Sequence, residues 1–551
     1  MAAQTKKSDS FVKQAGILAA AGIICRIIGL LYRSPLTGVI GEAGNGYYTP
    51  AYRIYQMILL ISSYSIPAAI SKVISQRLAL HQYKNAQRIF KCAILYVIVV
   101  GGAGSLVAFF GANALSPDDK SAMVLRTLAP VILLSGFLGV LRGYFQANKT
   151  MVQTSISQIL EQILNAVVSV GAAWLLMRIF MEEDEKTRAA WGAVGSALGT
   201  GIGVLVALLF MLMIYQMNRK VINARVQRDR SKNLLSTGEI FKIIIFMVTP
   251  VIMSTFVYNA SALINQTLYL NLMQSVHGEN LEDLMIINGV YDTQAVGLSN
   301  IPIAIASAMA AAILPSIAGS FETKNKKEVN RKIQTAIKTI MFIAIPAAMG
   351  MTVLARPIVW LLYPGISEDN ITLGGRLLAA LGLSIVFYSL STLSNSILQA
   401  VGKATKPVTN AAVALAAQSA VAALLIAFTG LGIYSLPIAV TLYSFLMCLL
   451  NGLSVKNATG YRQELVNTFL IPFWSAVIMG VVVGIVYYGL AWLLPEGYVG
   501  NAVSMAAAVL FGVLVYFAAV LKLGAMTKKE LLAIPGGRVI VKFAVKLHLL
   551  S

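Results

Sequence analysis

The sequence predicts an all-α polytopic membrane protein with fourteen transmembrane helices. Of its 551 residues, 58% are hydrophobic and only 12% are charged, and the mean hydropathy is +0.76. Soluble domains carry about 25% charged residues, so the composition excludes that class. Apolar runs of roughly 20 residues, the length that crosses a hydrocarbon core as a helix, recur along the whole chain. The alternating pattern typical of a membrane β-barrel is not found in the sequence.

Each predicted span is one of these apolar runs, bounded by charged or turn-forming residues. The spans lie near residues 11–32, 47–71, 89–112, 123–146, 152–177, 190–217, 241–270, 290–318, 334–362, 372–400, 407–429, 433–455, 466–494 and 499–521.

The distribution of charge predicts the orientation of the spans, because Lys and Arg concentrate in cytoplasmic loops. Basic residues gather at the N-terminus, in the even-numbered connections and at the C-terminus, whereas odd-numbered connections hold acidic runs such as Glu182–Glu185. Both termini are therefore predicted to be cytoplasmic. The same asymmetry accounts for the net charge of +21 without nucleic acid as a partner. Basic runs such as residues 219–232 are expected to face anionic inner-leaflet lipids.

Two internal matches at similar offsets predict a tandem duplication. The matched pairs are GYFQANKTMVQTS (143–155) with SILQAVGKATKPVTN (396–410), and SIPAAISKVISQ (65–76) with ILPSIAGSF (313–321). Aligned at Gln146 and Gln399, the first pair is offset by 253 residues, and the second pair by 248. Six spans separate the members of each pair, an even number, so the halves would be related by an axis along the membrane normal.

The predicted organisation has five parts. They are an N-lobe of six helices (1–217), a basic cytoplasmic linker (218–240), a C-lobe of six helices (241–456), two appended helices (457–524) and a cytoplasmic tail (525–551). The tail mixes basic and apolar residues in a pattern typical of a helix lying on a membrane surface.

Two arginines stand in the stretch GIICRIIGLLYRSP at residues 22–35, where the first span should cross the bilayer. A charged side chain at mid-bilayer costs roughly 2.5–3.5 kcal/mol on insertion scales, so it should face a bundle interior or a wet cavity. At about 1.5 Å per residue, Arg26 should lie past the bilayer centre. Arg33 follows two turns later on the same helical face.

Both arginines also have a purely structural explanation. Arg33, near Pro35 at the end of the span, could extend to lipid headgroups. For Arg26 the main structural alternative is a buried ion pair with Glu161, a carboxylate well inside a span. The depth of Arg26, and the glycines Gly22 and Gly29 beside it, favour a role in the transport pathway.

A third arginine, Arg53, lies in the second predicted span. Four tyrosines surround it in the sequence, Tyr47, Tyr48, Tyr52 and Tyr55. An aromatic belt at the membrane interface would explain most of these tyrosines. If the first two spans line one cavity, the three arginines form a cationic cluster suited to a pyrophosphate, because guanidinium groups bind phosphate oxygens bidentately. That set is Arg26, Arg33 and Arg53.

Glu161 lies in the fifth span within SQILEQILN, on a polar helical face with Gln158, Gln162 and Asn165. Polar faces in membranes can serve helix association alone. Two roles stay open for the carboxylate. It could form an ion pair with Arg26, or it could take up and release a proton and so couple transport to a gradient.

Enzymatic chemistry finds no support in the sequence. A GxxxxGK[ST] loop, an HExxH helix and a GxSxG turn are absent from it, so transport driven by ATP hydrolysis in this chain is not predicted. The three cysteines fall in apolar spans and the three histidines are scattered, which predicts neither disulfides nor a metal site. No cofactor is expected, and the energy would come from an H⁺ or Na⁺ gradient or from substrate consumption.

The chain resembles the MurJ, SpoVB and YtgP branch of the multidrug/oligosaccharidyl-lipid/polysaccharide (MOP) exporter superfamily. The resemblance rests on CRIIGLLYRSPLTGVIGEAGNGYYTPAYRIY (25–55), on ILPSIAGSF in the eighth span and on the number of spans. It implies a MATE-like fold of two pseudo-symmetric six-helix lobes. It also implies flipping of lipid II, the undecaprenyl-pyrophosphate-linked peptidoglycan precursor, across the bacterial cytoplasmic membrane by alternating access. The two appended helices would then hold the polyprenyl tail in a groove.

Carried over by position, the resemblance assigns the first motif arginine to Arg26 and the second to the neighbourhood of Arg33. The acidic residue of the first outer loop falls near Asn45, and the eighth span offers no clear arginine in VYDTQAVGLSNIP. The acids that bind sodium in some relatives are also missing from the seventh and eleventh spans, which offer Asn259, Asn265 and Asn410.

The leading hypothesis is therefore a lipid II flippase in which Arg26, Arg33 and Arg53 receive the pyrophosphate. A flippase for another lipid-linked oligosaccharide stays open. A cation or drug antiporter of the same superfamily is a second hypothesis, although it would require an acidic cavity. A membrane scaffold that binds cell-wall synthesis enzymes is a third.

Overall fold

The computed structural model describes residues 21–524, except residues 23, 30, 65, 149, 232–233 and 323–324. Every regular element within these residues is helical, which confirms the predicted all-α class. Residues 11–20 of the first predicted span and the predicted tail at 525–551 lie outside the described residues.

The chain packs into two compact units. Within the described part of the chain, the first unit takes the residues up to Leu270 together with Glu279–Gly289. The second unit takes Asn271–Gly278 and the residues from Val290 onward. The lobe limits inferred from the sequence repeat, 1–217 and 241–456, stay a prediction.

Helical residues 24–29 precede the labelled helices of the first unit. These are α1 (Arg33–Leu59), α2 (Ile66–Ala79), α3 (Tyr83–Tyr96), α4 (Gly102–Phe110), α5 (Ala112–Leu115), α6 (Asp119–Ala147), α7 (Met151–Ile179) and α8 (Glu185–Arg228). Two π-helical turns, Leu60–Tyr64 and Val97–Gly101, follow α1 and join α3 to α4. Helix α9 (Thr237–His277) begins in the first unit and ends in the second.

Helix α10 (Leu281–Val290) packs with the first unit, and the chain continues into the second unit through the π-helical turn Tyr291–Val296. The remaining helices are α11 (Gly297–Glu322), α12 (Lys326–Val353), α13 (Ala355–Leu362), α14 (Glu368–Ala380), α15 (Gly382–Ala400), α16 (Thr405–Phe428), α17 (Ser435–Thr459), α18 (Ile471–Leu493) and α19 (Tyr498–Lys522). A 3₁₀ turn, Gly432–Tyr434, precedes α17, and a π-helical turn, Val466–Leu470, precedes α18.

Nine helical segments of the described residues are long and apolar enough to cross a membrane. The number becomes ten if α14 and α15, which bend by 46° at Leu381, form one broken span. The structure therefore confirms a polytopic helical membrane protein, and the count of fourteen spans stays a prediction.

Several helix starts are fixed by side chains that the sequence places directly before them. The Asp118 carboxylate accepts hydrogen bonds from the backbone N–H groups of Lys120 and Ser121 at the start of α6. Asp184 accepts one from the N–H of Thr187 at the start of α8. Such caps satisfy donors that the first turn of a helix leaves free.

Helices α7 and α8 pack closely because glycines of α8 leave room for the backbone of α7. A Cβ atom on Gly199 would lie 2.2 Å from Ser169 Oγ and 2.4 Å from its backbone nitrogen. One on Gly203 would lie 2.7 Å from the carbonyl oxygen of Glu161. The glycine spacing of α8 thus determines how close the helix that carries Glu161 can approach.

We expect Gly199→Ala to lower the free energy of unfolding by about 1–3 kcal/mol, the usual cost of overpacking a tight core. The added methyl group has no space beside Ser169 unless the two helices separate. Unfolding of the purified protein in mild detergent measures the effect. Gly171→Ala is the control, because a Cβ atom on that glycine of α7 meets nothing within 4 Å. Equal stability of the two variants would refute this packing account.

The two helices that the sequence predicts as appended, α18 and α19, pack against α12 and α13 of the second unit. Tyr516 donates a hydrogen bond from its hydroxyl group to the carbonyl oxygen of Phe342 at 2.9 Å. Asn501 Nδ2 donates to the carbonyl oxygen of Pro357 at 3.2 Å, and Asn501 Oδ1 accepts a hydrogen bond from the Tyr487 hydroxyl group at 2.7 Å. These buried polar contacts fix the pair against the unit.

Candidate functional site

The candidate site lies in the first unit, around a sharp kink in α1. Gly41 adopts φ +69°, a left-handed conformation that favours glycine, and divides the helix into two arms. Asn45 Nδ2 donates to Thr37 Oγ1 at 3.0 Å and so joins the arms across the kink. The position where the resemblance expects an acid is thus occupied by a buried amide with a structural contact.

Arg33 and Arg53 lie on opposite arms of α1, and Arg53 directly follows Tyr52 in the chain. The charges of both guanidinium groups act on the hydroxyl group of Tyr52, and Arg33 also acts on Tyr48. Both arginines are half-buried. Arg33 and Arg53, two of the three predicted site arginines, therefore both contribute positive charge at Tyr52.

The tyrosines beside these arginines form a stacked series within the protein. The ring centroids of Tyr48 and Tyr52 are 5.2 Å apart, and those of Tyr52 and Tyr55 are 5.7 Å apart. Tyr55 is buried, and Tyr48 and Tyr52 are half-buried. The expectation of an aromatic belt for most of them stays a prediction.

Arg26 occupies a different environment from Arg33 and Arg53. Its side chain is exposed, whereas those of Arg33 and Arg53 are half-buried. The charges of Glu161 and Arg142 act on the thiol group of Cys25, the residue before Arg26. A Cβ atom on Gly29 would lie 3.7 Å from Gln162 Oε1, so this segment runs along α7.

Glu161 forms an ion pair with Arg142, a residue that the sequence analysis did not consider. Arg142 Nη2 lies 2.7 Å from Glu161 Oε2, and the two side chains are only 14% and 22% exposed. Arg142 Nε also donates to Ser157 Oγ at 2.9 Å, one turn before Glu161 on α7. The described residues therefore give Glu161 a partner other than the expected Arg26, and that partner comes from α6.

A second charged cluster of the first unit lies around Glu282 of α10, next to the arm of α1 that follows the kink. Glu282 forms ion pairs with Lys186, at the start of α8, and with Lys120, at the start of α6, the latter at 3.3 Å. Tyr47 donates its hydroxyl proton to Glu282 Oε1 at 3.5 Å. Gly46 allows the close approach of α10, since a Cβ atom there would lie 3.2 Å from the backbone of Ile286.

The hydrogen bond from Lys186, followed by that from Lys120, holds the pKa of Glu282 below its ordinary value. A depressed pKa means that the folded state favours the ionised carboxylate, so this contribution to stability is present above the ordinary pKa of about 4.3. It is lost as the pH falls through the folded-state pKa. Glu282 precedes the span predicted at 290–318 and so lies where bulk pH acts on it.

We expect wild-type protein to lose thermal stability between about pH 5 and pH 3 more steeply than Glu282→Gln. The variant has no carboxylate to protonate at this position, so its unfolding midpoint should change less over that interval. Thermal unfolding at a series of pH values measures the difference. Asp283→Asn removes the same charge from the same helical turn at an exposed position and serves as the control. Parallel profiles for wild type and Glu282→Gln would contradict the assignment.

Comparison with known proteins gives three consistent matches. The family described as "Lipid II flippase MurJ" matches residues 84–507 of the chain. The lipid II flippase MurJ of Bacillus subtilis (strain 168) is 24% identical over 547 residues, which cover 95% of this chain and 97% of that protein. A structure of lipid II flippase MurJ in an inward closed conformation aligns with a TM-score of 0.65 at 15% identity, covering 91% of this chain and 97% of that one.

The fold is also similar to that of a multidrug resistance transporter of the MATE family in the MOP superfamily, solved in an inward-facing conformation. That alignment has a TM-score of 0.60 at 14% identity and covers 80% of this chain and 94% of the transporter. At this identity the likeness concerns the fold alone. It confirms the predicted MATE-like fold class.

Proposed function

The chain belongs to the lipid II flippase MurJ family, and from that premise we propose that it moves lipid II from the inner to the outer leaflet of the bacterial cytoplasmic membrane. The family match covers residues 84–507, and the chain aligns with almost the full length of the B. subtilis relative. Membership of this family implies a bacterial membrane transporter that acts on a lipid-linked substrate.

The observation that carries the proposal within the structure is the pair Arg33 and Arg53 beside Tyr52. Lipid II carries a pyrophosphate, whose oxygens accept paired hydrogen bonds from guanidinium groups. Arginine also keeps its charge in a partly dehydrated site, where a lysine could lose its proton. We assign this pair to the pyrophosphate.

Arg26 is proposed as the third pyrophosphate ligand. Support comes from its position in the motif shared with the family and from its exposed guanidinium group, which a substrate could reach. Its distinct environment beside α7 suggests that it meets the substrate at another step of alternating access from Arg33 and Arg53. Flipping assays of Arg26→Ala at several substrate concentrations would separate a binding defect from a transport defect.

The charge of the site argues against an antiporter for cationic drugs. Such a transporter requires an acidic binding surface, whereas the described site holds three arginines, Arg33, Arg53 and Arg142, against the two carboxylates Glu42 and Glu161. Another lipid-linked oligosaccharide would share the pyrophosphate and stays the main alternative substrate.

Several finer parts of the proposal rest on the sequence. They are cytoplasmic termini, coupling to an H⁺ or Na⁺ gradient, a groove for the polyprenyl tail on α18 and α19, and contacts with cell-wall synthesis enzymes. Exposed apolar side chains on α18 and α19, among them Trp492, Ile485 and Leu510, support the groove. The ion pair with Arg142 is compatible with proton-coupled transport through Glu161. If Glu161 changed its partner during transport, the proton affinity of its carboxylate would change.

Complementation tests the proposed function in a cell. We expect this chain to restore growth in a bacterium depleted of its own lipid II flippase, and lipid II to stop accumulating in the inner leaflet. The same strain should show unchanged tolerance to cationic drugs. Persistent accumulation of lipid II with a normal amount of protein in the membrane, or a broad rise in drug tolerance, would refute the proposal.

A further inference from the structure

A small cavity lies in the first unit, at the end that the charge distribution predicts to face the cytoplasm. Its volume is about 120 Å³, and residues of α2, α3, α6 and α8 surround it. Since one water molecule requires about 10–15 Å³ of such space, the cavity has room for a small polar group but not for a glycan with a peptide. It is therefore separate from the proposed lipid II site.

An aromatic cluster lies behind one wall of the cavity, which Tyr144 lines. Tyr144 packs against Phe90 and Tyr215, with ring centroids 4.8 Å and 5.8 Å away. Gln87 lines the cavity and donates from Nε2 to the Tyr215 hydroxyl group at 2.8 Å. Its Oε1 atom is buried and has no hydrogen-bond partner within the described residues. A buried acceptor of this kind is costly unless a bound molecule donates to it.

Positive charge stands at the mouth of the cavity. Arg225 of α8 lines it, is exposed, and acts through its charge on the hydroxyl group of Tyr144. The nearest carboxylate on the same helix end, Asp229, is occupied by the backbone N–H groups of Lys84 and Ser231, each at 2.7 Å. An anion that approaches Arg225 therefore finds the Asp229 carboxylate already hydrogen-bonded to these backbone groups.

The contacts of Asp229 hold the end of α8, the helix that carries Arg225. The sequence predicts a linker from residue 218, yet α8 continues to Arg228 and its end is fixed against the start of α3 by Asp229. Asn85 fixes the next segment, since its Oδ1 accepts a bond from the N–H of Leu235 at 3.0 Å. The cavity is thus preformed, which lowers the cost of binding.

We propose that this cavity binds the headgroup of an anionic glycerophospholipid, with its phosphate at Arg225 and a glycerol hydroxyl group donating to Gln87 Oε1. The position suits this ligand, because the predicted cytoplasmic end of the unit lies where inner-leaflet headgroups are concentrated. A free glycerol phosphate would present the same chemistry. The proposal does not depend on lipid II transport.

The test compares phosphatidylglycerol, phosphatidic acid and phosphatidylcholine on the full-length protein in detergent, by native mass spectrometry and by thermal stabilisation. We expect phosphatidylglycerol to bind best, phosphatidic acid next and phosphatidylcholine least. Arg225→Gln should weaken binding of both anionic lipids about tenfold, as expected for loss of a charge-assisted hydrogen bond. Arg219→Gln, an exposed arginine of α8 that does not line the cavity, should leave binding unchanged.

Gln87→Met tests the acceptor separately from the charge. It should remove most of the preference for phosphatidylglycerol over phosphatidic acid, about threefold, and leave the preference for anionic lipids intact. Tyr215→Phe deletes the same hydrogen bond of Gln87 but keeps Oε1, so it should retain the full preference. Unchanged preference in Gln87→Met, or its equal loss in Tyr215→Phe, would overturn the assignment of Oε1.

Competition with soluble glycerol phosphate distinguishes the two sources of the headgroup. Displacement of phosphatidylglycerol at millimolar concentration would show that the headgroup alone is recognised, whereas failure to displace it would show that the acyl chains contribute. Equal binding of phosphatidylglycerol and phosphatidylcholine, or equal losses in Arg225→Gln and Arg219→Gln, would overturn the site.

Discussion

Replacing Arg142 with methionine should lower the free energy of unfolding by about 3 kcal/mol. The substitution keeps an apolar stem but leaves the Glu161 carboxylate without its partner among membrane helices, and an uncompensated buried charge costs about 3–5 kcal/mol. The side chains are 14% and 22% exposed, which places the expected value at the lower end of that range. Unfolding of purified protein in mild detergent measures it.

The double variant Arg142→Met with Glu161→Gln is the matched control. Removing both charges leaves no uncompensated ion, so most of the lost stability should return, and the two substitutions should be strongly non-additive. Glu161→Gln alone should cost less than Arg142→Met, because Arg142 keeps its bond to Ser157 and its longer side chain can reach a polar surface. Additive effects, or wild-type stability of Arg142→Met, would show that the ion pair is not important to the fold.

The second large effect is expected on transport. Arg33→Gln and Arg53→Gln should each slow lipid II flipping at least about tenfold, because each removes a charge-assisted hydrogen-bond donor to phosphate worth roughly 1.5–3 kcal/mol. Lysine in either place should give an intermediate rate, since it keeps the charge and loses the planar pair of donors. Initial rates in vesicles with matched protein amounts measure the effect.

Arg178→Gln is the control for a general loss of positive charge from the first unit. Arg178 lies over the ring of Trp174 at 5.2 Å on α7, so its side chain has an aromatic partner of its own. Its replacement should leave the flipping rate within about twofold of wild type. A similar loss in all three glutamine variants would point to net charge rather than to pyrophosphate binding.

The sequence was sufficient to predict the fold class, because apolar run length and charge composition depend only on the bilayer as a solvent. The grouping of Arg33 and Arg53 at one pyrophosphate site stays a prediction. The structure places both arginines on α1 rather than on two separate spans, Arg33 before the kink at Gly41 and Arg53 after it.

The partner of Glu161 could not be assigned from the sequence, because several arginines lie at compatible depths. A signal was nevertheless present. Arg142 lies near the end of α6 and Ser157 lies a comparable distance after the short connection to α7, with Glu161 one turn further along. The long arginine side chain reaches both residues of the neighbouring helix, whereas the prediction paired Glu161 with an arginine of the first span.

The cluster around Glu282 was missed for a different reason. The sequence placed Lys120, Lys186 and Glu282 in connections on the same predicted side of the membrane. Which of these charges meet depends on how α10 packs on the first unit, and that is set by the close approach at Gly46. A glycine that permits backbone contact does not identify the helix it contacts.

The central claim is that this chain moves lipid II, and reconstitution tests it most directly. Purified protein in vesicles should carry fluorescent lipid II to the opposite leaflet faster than protein-free vesicles do. It should carry an undecaprenyl-pyrophosphate lipid with an unrelated glycan more slowly, and the double variant Arg33→Gln with Arg53→Gln should be close to the protein-free rate. Lipid II movement no faster than in empty vesicles, or wild-type flipping by a folded double variant, would contradict the account.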